Sequence, residues 1–478
     1  MKMPRPVIRT WCAAIALILV LGAAAASAKT PIASVMQWST SADGIRKLQR
    51  MPDLHLVQSD SKNGGNPNTV TVDPTIRYQR MVGFGAAMTD SSAQLLMALP
   101  AGPRNALFDE LFLPRNLGLS FMRLPIGASD FSTEHYSFDD VAPGQTDPSL
   151  THFSLTKAAN QITATLAARA RNRQLALMAS PWSAPAWMKT SGSLITGRLD
   201  PKQSEAFARY LVRYAREMAR AGLPISWLTV QNEPDFEPTN YPGMQMNPAE
   251  RAALVGQYLG PMLARHRSAP RVLDWDHNWD KPEKPLAVLA DTVANRYIAG
   301  VAWHCYGGNV SAQGTVQALY PSKDSFETEC SGGGWAPDWS GSLGWMTSQL
   351  IIGASRNGSR GTLLWNLALD EYSGPHKGGC GNCRGVLTIS SANGEVTRNV
   401  EYYVLGHASR FVRPGARRIA SDQQVGIDNV AWRNPDGSIV LLAHNSTKQA
   451  NTLNVASGKW RFSTELSPGE VSTFVWQK

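Results

Sequence analysis

Two carboxylate-bearing stretches give this chain its candidate chemistry. Trp227 to Pro234 reads Trp-Leu-Thr-Val-Gln-Asn-Glu-Pro. Its apolar, β-branched middle, Leu228 to Val230, has the length of a buried parallel strand, and the polar run behind it delivers Glu233 to the strand's C-terminal end. Phe326-Glu327-Thr328-Glu329-Cys330 does the same with two acidic residues. Hydrolysis of a glycosidic bond needs such a pair: an acid to protonate the leaving oxygen, and a second carboxylate to attack the anomeric carbon or activate water. The period of two points Glu327 and Glu329 the same way, so alternation alone leaves both open. Glu329 lies nearer the rim and is the favoured partner, with Glu327 as a supporting hydrogen-bond or salt-bridge residue. Ordinary helix capping is the competing reading of Asn232-Glu233-Pro234.

Other strand ends supply matching parts. Arg123 and Asp130 follow one apolar run, where Asp130 can bind two sugar hydroxyls or form an Asx-turn. Ser180-Pro181-Trp182 and Trp365-Asn366 present indoles, which are large core residues or stacking faces for a sugar ring. Trp303-His304-Cys305-Tyr306 ends another run, with His304 as a supporting residue. No His/Asp/Glu cluster stands at ligand spacing, and the lone Cys380-x-x-Cys383 has no partner pair, so no metal and no cofactor are expected. In an oxidising compartment Cys380 and Cys383 are expected to bond to each other, the alternatives being a pair of free thiols or a bond from either to Cys305 or Cys330.

The elements that must position these residues alternate. Strand-like pieces at 79–84, 119–124, 175–179, 227–230, 271–275, 301–303, 325–328 and 362–365 are separated by helical stretches such as 155–170, 204–220, 249–265 and 343–355. Eight such pairs predict a (β/α)8 TIM barrel over residues 76–397, with strands four and seven, and so Glu233 and Glu329, across its mouth from each other. No Gly-x-Gly-x-x-Gly follows the first strand, which argues against a doubly wound sheet. Residues 398–478 form a short helix and then alternating strands, with a hairpin turn at Asn434-Pro435-Asp436-Gly437. A β-sandwich is predicted there, joined by strands from residues 29–75, which include a turn at Gly64 to Asn68.

Basic residues Lys2, Arg5 and Arg9, an apolar run from Cys12 to Ala26 and the sequence Ala26-Ser27-Ala28 read as a signal peptide, residues 1–28, cleaved after Ala28. The protein is therefore expected to be secreted or periplasmic, and no later stretch is apolar enough for a transmembrane segment. The formal charge of +9 is spread without a dense Lys/Arg block, which excludes a nucleic-acid partner and leaves a carbohydrate or glycolipid substrate.

Gly83-Phe84-Gly85-Ala86-Ala87-Met88-Thr89-Asp90, the Asp130 stretch, Ser180-Pro181-Trp182, Gln231-Asn232-Glu233-Pro234, Glu329 and Trp365-Asn366-Leu367-Ala368-Leu369 stand in an order that resembles the glucosylceramidases of glycoside hydrolase family 30. The resemblance, which covers about residues 35–478, implies a retaining β-glycosidase without a cofactor. It implies Glu233 as acid/base and Glu329 as nucleophile, Asn232 at the sugar 2-hydroxyl, and Asp130, Trp182 and Trp365 around the glucose. It further implies Tyr306 and His304 around the nucleophile and Arg123 orienting it. On this reading Glu233 begins protonated, its pKa raised by the neighbouring carboxylate, while Glu329 stays ionised. The expected substrate is a terminal β-glucosyl unit, glucosylceramidase-like. Endo-β-1,6-glucanase activity is the first alternative, and a carbohydrate-binding pseudoenzyme is the alternative from another class.

Overall fold

The computed structural model describes Met1, residues 34–58 and residues 69–477. The expected signal peptide and the expected turn at Gly64 to Asn68 lie outside the described residues.

Eight short strands, nearly all of whose residues are buried because both faces are covered, close into a parallel barrel. They are β1 (Gly83–Ala87), β2 (Phe121–Ile126), β3 (Ala176–Pro181), β4 (Trp227–Thr229), β5 (Arg271–Asn278), β6 (Ile298–His304), β7 (Asp324–Glu329) and β8 (Ser359–Leu364). Neighbours in sequence are neighbours in space, and β8 closes onto β1. β1 and β2 approach so closely that a Cβ on Gly85 would meet the Phe121 carbonyl oxygen at 1.8 Å, which explains a glycine inside a strand.

A plug of side chains fills the barrel: Val82, Phe121, Met178, Trp227, Leu273, Ala302, Phe326 and Leu363 pack on one another. Two residues further along the strands the same inward face carries Arg123, Ser180, Thr229, His304, Thr328 and Trp365. The step from an apolar layer to a polar one places the site at the C-terminal rim. On β5 the alternation breaks. Trp275 and Asp276 have φ of 77° and 52°, and this left-handed pair keeps Trp275 in the outer core and turns Asp276 to the centre.

The helix Ser204–Arg220 has the expected bounds. The expected helices at 249–265 and 343–355 are continuous but widen into π-helical turns at Leu254–Leu259 and Thr347–Gly353, a feature that apolar periodicity does not reveal.

Ten further strands from the two ends of the described chain form the predicted β-sandwich. Ser34–Thr40 lies between Gln49–His55 and the C-terminal strand Val471–Trp476. The strand Thr69–Arg80 pairs in parallel with Asn451–Ser457 at its start and antiparallel with Arg417–Ser421 beyond, so it passes from one layer to the other. A separate apolar core, including Val35, Val72, Ile419, Leu441 and Phe474, fills the space between the layers. The hairpin of Ile427–Arg433 and Ile439–Asn445 turns at Gly437, where φ is 88°. No helix among the described residues is long and apolar enough to cross a membrane.

Two disulfides are present among the described residues. Cys380–Cys383 is the expected local ring. Cys305–Cys330 is a pairing the sequence did not suggest; it joins the residues just past the adjacent ends of β6 and β7, whose Cα atoms stand 5.3 Å apart.

Candidate active site

The rim is built around Arg123, which is wholly buried and reaches four neighbours. Its Nη1 donates to Glu329 Oε2 at 2.5 Å, and its Nη2 donates to Asn232 Oδ1 at 2.6 Å, Asp276 Oδ2 at 2.7 Å and Ser180 Oγ at 3.3 Å. Because the guanidinium can only donate, it fixes the Asn232 amide with its oxygen inward and leaves the NH2 group for a ligand. Asp276 balances the cation. It accepts from Ser180 Oγ at 2.5 Å, Thr229 Oγ1 at 2.9 Å, Thr328 Oγ1 at 2.7 Å and His304 Nε2 at 3.1 Å. Burial would raise this carboxyl, but the Arg123 charge and the His304 hydrogen bond hold it far below the usual range.

His304 connects the two carboxylates of interest. With Nε2 on Asp276, its Nδ1 lies 3.0 Å from Glu233 Oε1 and 3.8 Å from Glu329 Oε1. Laid end to end, these distances cap the separation of the two Oε1 atoms below about 7 Å, which admits the roughly 5–5.5 Å spacing of a retaining pair and excludes the wider part of the roughly 6.5–9.5 Å range of an inverting one. Burial alone would lower the imidazole, yet the Glu329 charge and the bonds to Asp276 and Glu233 push it up to about 10. His304 therefore carries a proton at neutral pH. Glu233 is correspondingly lowered: burial would raise it, but the His304 hydrogen bond and charge prevail. Glu329 is raised, chiefly by burial, against the opposing charges of His304 and Arg123. This reverses the sequence expectation of a raised Glu233, because the expectation did not include a cationic imidazole beside it.

The remaining sequence candidates gather on the same rim. The Tyr306 hydroxyl donates to Glu329 Oε1 at 3.0 Å. Trp182 and Trp365 stack on each other at 5.0 Å and 18°, under the Arg123 guanidinium at 4.8 and 5.5 Å. Asp130 is buried among them. No side chain donates to it among the described residues, and burial together with the charges of Glu329 and Glu233 pushes it up to about 8.

Glu327 does not share the face of Glu329. The pairing of β7 with β6 shifts register between Trp303 and His304, so Glu329 is directed into the mouth. Glu327 instead accepts from Trp279 Nε1 at 3.0 Å and Gln313 Nε2 at 2.7 Å, and burial raises it well above the ordinary carboxylate value. It is the supporting residue, as expected, but by a different geometry.

Three residues of the rim were missed. Asp276 and His277 end β5 as a polar pair behind apolar residues, the signal that marked Glu233; the strand was read as ending at Trp275. Tyr241, in the loop after β4, packs against the Trp182–Trp365 cluster and feels the charges of Asp130, Glu233 and Glu329. The sequence also suggested no metal-ligand cluster, yet Glu233, His277 and His304 bring ligand atoms within 4.8 Å of one another. They come from three different strand ends, so no spacing along the chain exposes them.

Comparison with known proteins agrees with this architecture. The sequence profile of the glycosyl hydrolase family 30 TIM-barrel domain matches residues 81–412, and that of the family 30 beta sandwich domain matches 415–474. The chain is 33% identical over 430 residues to endo-1,6-beta-D-glucanase neg1 of Aspergillus fumigatus, covering 82% of this chain and 85% of the relative. It is 27% identical over 468 residues to the lysosomal acid glucosylceramidase of Mus musculus, covering 91% and 88%. The solved structure of the endo-beta1,6-glucanase BT3312 superposes with a TM-score of 0.86 at 29% identity, covering 93% of this chain and 99% of that one.

Proposed function

The chain belongs to glycosyl hydrolase family 30, and from that membership we propose that it is an endo-β-1,6-glucanase, working through a covalent glycosyl-enzyme with Glu329 as nucleophile and Glu233 as acid/base. The observation that carries the chemistry is the single ring nitrogen of His304 in reach of both carboxylates. The substrate follows from the relatives. Identity to the Aspergillus glucanase exceeds identity to the mouse glucosylceramidase, and the BT3312 fold covers nearly the whole chain. This reading places the endo-glucanase alternative ahead of the glucosylceramidase expectation. The basic-apolar start and Ala26-Ser27-Ala28 support an exported protein.

In the first step Glu329 Oε attacks the anomeric carbon while the carboxylic acid of Glu233 gives its proton to the leaving oxygen, so the glycosidic C–O bond breaks as the ester bond forms. The proton is at hand: His304 holds it 3.0 Å from Glu233 Oε1 and passes it across when the sugar displaces water. In the second step the Glu233 carboxylate takes a proton from water, the water oxygen bonds to the anomeric carbon, and Glu329 is released as a carboxylate. Arg123 and Tyr306 stabilise that carboxylate as the charge returns. The free amide hydrogens of Asn232 suit the 2-hydroxyl, and Asp130 suits a pair of hydroxyls on the far side of the sugar.

A parallel assay on a β-1,6-linked glucan, a β-glucosylceramide in detergent and a soluble aryl β-glucoside tests the substrate. Release of oligosaccharides from the glucan is expected. Cleavage of the ceramide with the glucan untouched would restore the glucosylceramidase reading.

A further inference from the structure

His277 has no role in the mechanism above, and its surroundings are unusual. It is a buried side chain, 8% exposed, and its Nδ1 has no hydrogen-bond partner. That orphaned nitrogen lies 3.6 Å from Glu233 Oε1, the oxygen that His304 Nδ1 approaches at 3.0 Å from another side. Nitrogen, nitrogen and carboxylate oxygen thus converge on one small volume. The far nitrogen of His304 is bonded to the Asp276 carboxylate, the arrangement that fixes the tautomer and ring direction of a metal-binding histidine. Two imidazoles and a carboxylate, brought together from three strand ends at the rim, are the donor set of an accessible zinc site.

We propose that Glu233, His277 and His304 form a binding site for a borderline divalent cation, Zn²⁺ or Cu²⁺, and that the ion is a reversible inhibitor. The donor set selects against Mg²⁺ and Ca²⁺, which require a shell of oxygen ligands. Thiol capture does not compete within the described residues, because all four of their cysteines are in disulfides. A bound ion takes the Glu233 oxygen and the His304 Nδ1 lone pair together, and so displaces the proton that the pair shares. The binding half of the proposal is independent of catalytic assignments. The inhibition half rests on Glu233 as the acid/base.

The experiment uses tag-free full chain. Isothermal titration with Zn²⁺ should give one site per chain, and His277→Gln should weaken it by about tenfold or more, in line with the loss of a ligand. Zn²⁺ should inhibit glucan hydrolysis, chelation should restore it, and His277→Gln should need about tenfold more Zn²⁺ for the same inhibition. Cu²⁺ bound to the wild-type chain should show coupling to two nitrogen ligands in its paramagnetic resonance spectrum, a readout that does not depend on the variant folding. Absence of a stoichiometric site, equal affinity in His277→Gln, or a Cu²⁺ spectrum without two nitrogens would overturn the site. Tight, His277-dependent binding without inhibition would uphold the site and overturn Glu233 as the acid/base.

Discussion

Asp276 holds Arg123 and His304 in place, and through them both carboxylates of the reaction. Asp276→Asn removes the charge at the centre of a buried network and leaves Arg123 undercompensated, a change that costs about 3–5 kcal/mol when a buried ion pair loses one partner. A drop of that size in unfolding free energy is expected, together with lower kcat; wild-type stability and kcat would show that the network does not depend on it. Glu329→Gln should reduce turnover on the order of 10³-fold or more with the fold intact, and normal activity in that variant would sink its role as nucleophile. Glu233→Gln should lose about 10²–10⁴-fold on glucan, but much less in the first step on an aryl glucoside whose leaving group needs no proton. Equal losses on both substrates would contradict its role as acid. Glu233 and Glu329 were legible because a buried strand ending in a polar run is a pattern in the sequence. Asp276 carries the same mark, but the left-handed pair at Trp275 and Asp276 reverses the alternation there, and a backbone reversal of that kind leaves no trace in residue types. The state of charge was illegible for a related reason: His304 stands beside Glu233 only because β4 and β6 converge at the rim.

The loop after β8 shows the same limit at the level of an element. Read as sequence, this stretch shows only a local disulfide between Cys380 and Cys383. In the folded chain it clamps two other loops. A Cβ on Gly378 would meet the Asn240 carbonyl oxygen at 2.1 Å, and one on Gly379 would meet Asp130 Cβ at 2.3 Å. The Lys377 amide donates to the Asp130 carbonyl at 3.1 Å, and Cys383 packs in the cluster of Trp182 and Trp365. The glycines are there for close approach as much as for their φ of 85° and 71°. Gly379→Ala should therefore push Asp130 out of position at a cost of about 1–3 kcal/mol. Since the clamp bears on Asp130 at the rim rather than on the barrel core, the loss should appear as a KM raised roughly five- to a hundredfold, with a thermal midpoint lower by only a few degrees. Unchanged KM would show that Asp130 does not contact substrate or that the loop yields freely.

Over the whole molecule, barrel and sandwich were both legible, because eight apolar strands alternating with helices, then short alternating strands around a Pro-Asp-Gly turn, each have a characteristic period. The junction between them was not, since it rests on single side chains from distant parts of the chain. His407, on the helix Val400–Ser409, is fully buried there. Its Nδ1 lies 2.9 Å from Thr473 Oγ1 in the last strand, and its Nε2 lies 2.8 Å from Thr40 Oγ1 in the first described one. The Thr473 hydroxyl gives its hydrogen to the His407 carbonyl, so it accepts from Nδ1; the Thr40 hydroxyl accepts from the Leu48 amide and keeps its own hydrogen for a neutral Nε2. The network thus accommodates a neutral ring. Burial accordingly lowers the pKa of His407 to about 3. Between that value and the ordinary value near 6.5, the unfolded chain binds a proton that the folded chain refuses, so stability falls as pH falls through this window, by up to about 1.4 kcal/mol per pH unit from this residue. Urea midpoints measured from pH 7 down to pH 4 should therefore decline in the wild type more steeply than in His407→Gln, which keeps polar atoms at the site and cannot titrate. Parallel declines in the two proteins would assign the acid sensitivity to other groups and leave His407 as a packing residue only.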